Sequence, residues 1–143
     1  KVVAQKPEGM LLAMHLCRGN FKSAWVAEGG YDPVVEAMFS TDVDGWFMAF
    51  DSARSGGFEP LRRVPPGKRV VLGLVTTKLG ELEGNDALKR RIDEAAQYVP
   101  LEQLCLSPQC GFSSTVHGNK IAVEDQRSKL RLVVETAAEV WGG

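Results

Sequence analysis

Residues 69–76, RVVLGLVT, carry the reading of the fold. After its first residue the run is apolar up to its closing threonine and rich in β-branched side chains, the composition of a strand covered on both faces. It follows Pro65-Pro66-Gly67, a turn signal. Upstream, residues 45–51 (GWFMAFD) and 10–17 (MLLAMHLC) are runs of the same kind. Downstream, residues 103–106 make a fourth and shorter one, ending in the loop SPQCGF over residues 107–112. Helical patterns separate the strands. Asp32-Pro33 reads as an N-cap with proline at the first helical position of a short helix ending near residue 39. Asn85 or Asp86 can cap a helix to about Tyr98, with Leu88, Ile92 and Ala95 on its apolar stripe and Pro100 as its stop. A last helix covers residues 123–141, with Leu130, Val133, Val134, Ala137 and Trp141 assigned to one face.

Four βα units in a row, with no internal linker, predict an α/β fold with a parallel sheet, one unit over residues 1–143. Two architectures fit. One is a small doubly wound sheet, complete at this length. The other is half of a (β/α)8 TIM barrel, whose usual size is about 250 residues. Periodicity does not choose between them.

Composition narrows the function. Lys and Arg number 17 against 18 Asp and Glu, so there is no basic excess of the kind that marks nucleic-acid binders. No apolar run reaches the roughly 18 residues of a membrane span. Residues 1–7 have no apolar stretch of signal-peptide type. The chain lacks an initiator Met and reads as a piece of something longer. Three cysteines, an odd and small number, argue against a disulfide framework and for a reducing, cytoplasmic setting.

In both architectures chemistry gathers where strands end. The first strand ends in His15-Leu16-Cys17, and residues two apart on a strand share a face. His15 and Cys17 can therefore ligate one ion, and the fourth strand's loop delivers Cys110. An imidazole and two thiolates suit Zn²⁺, and three protein ligands leave the open position of a catalytic site. The residues alone leave a second reading open, in which Cys17 is a packed core thiol; Cys105, inside the fourth strand, reads as one. Asp51, followed by Arg54, is either a paired loop carboxylate or a contact to metal or substrate. Arg18 and Asn20 follow the His/Cys pair directly and can bind an anionic substrate group. Lys78, with Thr76 and Thr77, reads as part of a solvated loop, and His117 in its polar loop is a candidate for proton transfer.

Several long motifs occur in order: HLCRGNF (15–21), AEGGYDPV (27–34), FEPLRRVPPGKRVVLGLVTTK (58–78), LKRRIDEAAQYVPL (88–101), LSPQCGF (106–112) and KLRLVVETAAEVW (129–141). Together they resemble the cobalamin-independent methionine synthase family, in particular its shorter, methionine synthase II-like members, over essentially the whole chain. The resemblance implies the C-terminal half of a (β/α)8 barrel, strands five to eight. It implies zinc held by His15, Cys17 and Cys110, and transfer of a methyl group from a donor such as a methylfolate to a thiol such as homocysteine. Related alkyl-to-thiol transferases share the pattern. The chain departs from the family at three points. The Glu that serves as a further zinc ligand falls at Ala49, which leaves Asp51 as the candidate fourth ligand. The catalytic His after the seventh strand falls at Thr76. The first half of the barrel is missing, so the chain is expected to self-associate or to need a partner carrying that half. A non-catalytic fragment of the family, or a bare metal- or thiol-binding module, is the rival reading.

Overall fold

The computed structural model describes residues 2–113 and 115–142. The strongest apolar runs become the central strands. Gly45–Ala49 forms β4 and Arg69–Val75 forms β5, paired in parallel from Gly45↔Arg69 to Ala49↔Gly73. Ala13–Leu16 forms β1 on one side and Leu104–Pro108 forms β6 on the other, both parallel to their neighbours. The order is β1-β4-β5-β6. A doubly wound sheet reverses its strand order near the middle. Here the order never reverses and the first strand lies at an edge. Right-handed crossovers that always step in one direction put their connections on one face.

The register shows the result. Met14, Trp46, Val70 and Leu104 lie side by side, followed two residues on by Leu16, Met48, Leu72 and Leu106. Trp46, Val70, Leu72, Met48 and Leu104 are buried on this face, in one cluster with Phe39 from helix α1 (Val35–Phe39), Leu88 and Ile92 from α2 (Asn85–Ala95) and Leu132 from α3 (Val123–Trp141). The opposite face carries His15, Phe47, Val71 and Cys105 in one row. Phe47 there is 40% exposed, although it stands on a central strand. The sheet is covered on one side only.

Several details differ from the sequence reading. The first strand is shorter than residues 10–17, because β1 is an edge strand; Leu11 is 79% exposed. Among the described residues there are three α-helices where four βα units were expected. The connection from β4 to β5 runs instead through two 3₁₀ turns, Ala53–Ser55 and Glu59–Arg63. Asp32-Pro33 lies in the turn before α1, whose N-cap is Val34 without a side-chain bond. In α3 the fully buried positions are Lys129 and Thr136, with Leu132 nearly so, while Leu130 and Val134 are exposed. Lys129 is buried because its ammonium meets Glu83 at 2.8 Å and the Glu81 carbonyl. Cys105 is half-buried on the open face, not packed in the core. A short hairpin, β2 (Asn20–Phe21) with β3 (Ala24–Trp25), follows β1. Its turn residues Lys22 and Ser23 take positive φ, +50° and +68°, without the Gly or Asn that would have announced it.

Candidate metal centre

β1 delivers His15 from its third residue and Cys17 from the position just past its end. The loop after β6 returns Cys110 to the same place, and the ligand atoms of all three lie within 4.8 Å of one another. A Cβ on Gly73 would stand 3.0 Å from Gln109 Cα and 3.1 Å from the Met48 carbonyl, so glycine at that position lets the loop close over the end of β5. The backbone N–H of Gly19 donates to Cys17 Sγ at 3.4 Å. Burial, then the neighbouring Cys17, pushes the Cys110 thiol up to about 11, so without metal it is protonated at neutral pH. Two ligands 2.0–2.3 Å from a tetrahedral ion stand roughly 3.3–3.8 Å apart. Small side-chain rotations therefore suffice for these atoms to enclose an ion, and the donor set fits zinc.

Asp51 lies outside this group. Period-two spacing from Ala49 would put it on the same face, but β4 ends at Ala49 and the chain turns away. Its carboxylate, 1% exposed, meets Lys78 Nζ at 3.3 Å and Arg54 Nη2 at 3.6 Å. Lys78 is fully buried; burial pulls its ammonium below the ordinary lysine range and the Asp51 charge opposes that. Arg18 is not open to an anion in the way expected. Its Nε donates to the Gly29 carbonyl, its Nη1 to Ala49 O and its Nη2 to Ser55 O, each of the last two at 3.1 Å. The guanidinium also stacks 4.1 Å over the Tyr31 ring. Arg18 clamps the backbone beside the site. Asn20 begins β2, and neither end of its buried amide has a partner among the described residues. Ala49 is fully buried and offers no ligand atom.

Three contributors escaped the sequence reading. Tyr31 Oη accepts the Ala49 N–H at 2.8 Å and lies 3.0 Å from the Leu16 carbonyl, tying the ends of β1 and β4. Phe21 on the hairpin meets His117 edge to face at 5.9 Å, which places that histidine against the hairpin and outside the His/Cys group. Gln109, 3% exposed, lines a cavity of about 370 Å³ with His15, Phe47, Ser107 and Cys110. Only the AEGGYDPV and SPQCGF motifs hinted at Tyr31 and Gln109. No helix among the described residues is long and apolar enough to cross a membrane.

Residues 8–139 match the family model described as cobalamin-independent synthase, catalytic domain. The chain is 57% identical to YxjG and 52% identical to YxjH of Bacillus subtilis (strain 168), both uncharacterized, over 97% of its own length. It spans 37% of each of those proteins. Among solved structures it resembles a provisionally named vitamin-B12 independent methionine synthase from Listeria monocytogenes. That match has a TM-score of 0.69 at 36% identity, over 99% of this chain and 38% of the other. A B12-independent methionine synthase from Shewanella sp. W3-18-1, solved with selenomethionine, superposes with a TM-score of 0.72 at 19% identity. It covers 93% of this chain and 39% of the other, a likeness of fold.

Proposed function

Because the chain belongs to the cobalamin-independent synthase catalytic-domain family, we propose that it forms the C-terminal half of a (β/α)8 barrel that transfers a methyl group to a small thiol. The observation that carries this is the convergence of His15, Cys17 and Cys110 at the strand ends of a one-way parallel sheet. These three residues would hold Zn²⁺, which when bound keeps an acceptor thiol in its thiolate form at neutral pH. The chain's own residues build the place for that chemistry. Arg18 and Tyr31 fix the loops around β1 and β4. The 370 Å³ cavity beside His15 and Cys110 has room for a thiol such as homocysteine. The donor, a methylfolate or another methyl or alkyl compound, approaches from the open side. The three free thiols suit a reducing compartment, the cytoplasm.

The bare face around Phe47 and the outer strands β1 and β6 call for a cover. A sheet edge presents unpaired backbone groups, and a parallel sheet is stable with both faces covered. The complementary half-barrel supplies that cover. In its absence a second copy does.

Metal analysis of the full-length polypeptide tests the assignment. About one zinc per chain is expected, lost in Cys110→Ser, with methyl transfer from methylfolate to homocysteine abolished by a chelator. Full metal occupancy in Cys110→Ser overturns it. Ala49 favours a second reading, a family member that binds metal without turnover, because the position expected to carry a fourth ligand offers none. Zinc binding without any methyl transfer would select that reading.

A further inference from the structure

His15 and Cys17 belong to β1 and Cys110 to the loop after β6, and these strands are the opposite edges of the sheet. The loop must therefore be held across the ends of β5 and β4 for Cys110 to meet the other two. A line of polar groups runs along that path. The Gln109 backbone N–H donates to the Val75 carbonyl, at the end of β5, at 2.8 Å. Gln109 Oε1 accepts from the Lys78 ammonium, and that ammonium meets Asp51 Oδ2, two residues past the end of β4, at 3.3 Å. The Ala49 carbonyl, which ends β4, accepts from Arg18 Nη1 at 3.1 Å, and Arg18 follows Cys17 directly. The three side chains in the middle of this line, Gln109, Lys78 and Asp51, are sealed from water.

A buried ion pair adds little net stability, and its best-attested use is to fix register. There is a register to fix here. The β5–β6 pairing shifts between Gly73 and Val75, where the chain leaves the sheet for the loop. Gln109 is the residue before Cys110, so its backbone bond to β5 and its side-chain bond to Lys78 together limit where Cys110 can stand. Ala49 offers no ligand atom, so a metal at this place depends on each of three side chains, and Cys110 is the one that the loop carries. We infer that Lys78 is a positioning residue: anchored by Asp51, its buried ammonium holds the Gln109 carboxamide and so keeps Cys110 within reach of a metal at His15 and Cys17. The inference rests on the proposed metal site.

The test measures zinc affinity by chelator competition on the full-length polypeptide. Cobalt(II) in place of zinc reports the sulfur ligands through thiolate-to-metal absorption, and the urea midpoint is followed in parallel. Gln109→Met removes the acceptor and leaves every candidate ligand in place. It should weaken zinc about tenfold and reduce the thiolate–cobalt absorption toward that of Cys110→Ser. Gln109→Glu keeps an acceptor for Lys78 and should retain affinity and absorption. Asp51→Leu with Lys78→Met restores stability with an apolar pair but gives Gln109 nothing to hold, so zinc should stay about tenfold weaker. Asp51→Asn keeps the ammonium on Gln109 and should keep the metal. Parental affinity in Gln109→Met, equal loss in Gln109→Glu, or zinc affinity that recovers with the urea midpoint in the double replacement overturns the positioning role and leaves the metal assignment standing. Zinc loss in Asp51→Asn as large as in the double replacement also overturns it, by assigning the effect to the carboxylate. A parent protein that holds no metal, or full occupancy in Cys110→Ser, overturns the metal site and this inference with it.

Discussion

Replacing Asp51 by Asn separates an ion pair from a metal ligand. Asp51 and Lys78 are 1% and 0% exposed and 3.3 Å apart. In Asp51→Asn the ammonium keeps Gln109 as acceptor but loses its counter-charge. Breaking a buried pair on one side costs about 3–5 kcal/mol, because the remaining charge is left uncompensated in a poor solvent. Arg54, 3.6 Å from the same carboxylate, also loses its partner but is held by the Ala27 carbonyl at 2.6 Å, so the value belongs mainly to Lys78. With a urea slope of about 2 kcal/mol/M, a loss of about 4 kcal/mol lowers the denaturation midpoint by about 2 M. Tryptophan fluorescence follows it, since Trp46 is fully buried. The defect should shrink in alkaline solution. A lysine depressed in the folded state favours folding above its unfolded value and opposes it as pH falls, and loss of Asp51 depresses Lys78 further. Replacing both residues, Asp51→Leu with Lys78→Met, should recover to within about 1 kcal/mol of the parent. A loss below about 1 kcal/mol, no coupling in the double replacement, and release of zinc would together refute the ion pair and return Asp51 to the metal.

Zinc affinity should rise about tenfold per pH unit for each proton displaced. The metal competes with the proton on Cys110, held up to about 11, so chelator competition at three pH values between 6.5 and 8.5 should give a steep profile; a flat one contradicts a Cys110 ligand. Arg18→Lys should lower stability by about 2 kcal/mol, since a lysine cannot serve three carbonyls in a plane. Thiol affinity should change little, and a large rise in KM with unchanged stability would restore the anion-binding role. Residues 1–143 expressed alone should associate in light scattering through the face around Phe47, and Phe47→Asp should reduce it; a stable monomer would show that face tolerates water unaided.

The fold was legible where one force dominates. Most of residues 45–49 and 70–75 are buried by hydrophobicity alone, and their runs show it, although the same runs hid the bare face on which Phe47 stands exposed. The edge strand was read too long because Leu11 and Leu12 look like strand residues, and only pairing, which ends at Ala13, decides. The face of α3 was misjudged for a related reason. Lys129 is buried by a charge partner 46 residues away, which no helical wheel contains. The hairpin was missed because Lys22 and Ser23 adopt positive φ against their intrinsic preference. At the site, the spatial grouping of His15, Cys17 and Cys110 was visible because their residue types carry metal-ligating chemistry. Asp51 stands apart from that group because the period-two rule holds only while the strand lasts, and β4 ends at Ala49.

The open face and the metal group are consequences of one topological choice. Crossovers that never reverse direction leave all the helices on one side, so the other side must be covered by something outside these residues or remain wet. His15 and Phe47 occupy adjacent register positions on that bare side. Whatever covers the sheet therefore also approaches the cavity beside Cys110. Removing water from that cavity strengthens every electrostatic contact inside it. Covering the sheet and finishing the site are then the same event. Thiol affinity should thus be weaker in the isolated half than in the closed barrel even when zinc content is equal. Equal affinity in the two would mean that the cavity is already finished by residues 13–17, 45–49 and 107–111 alone.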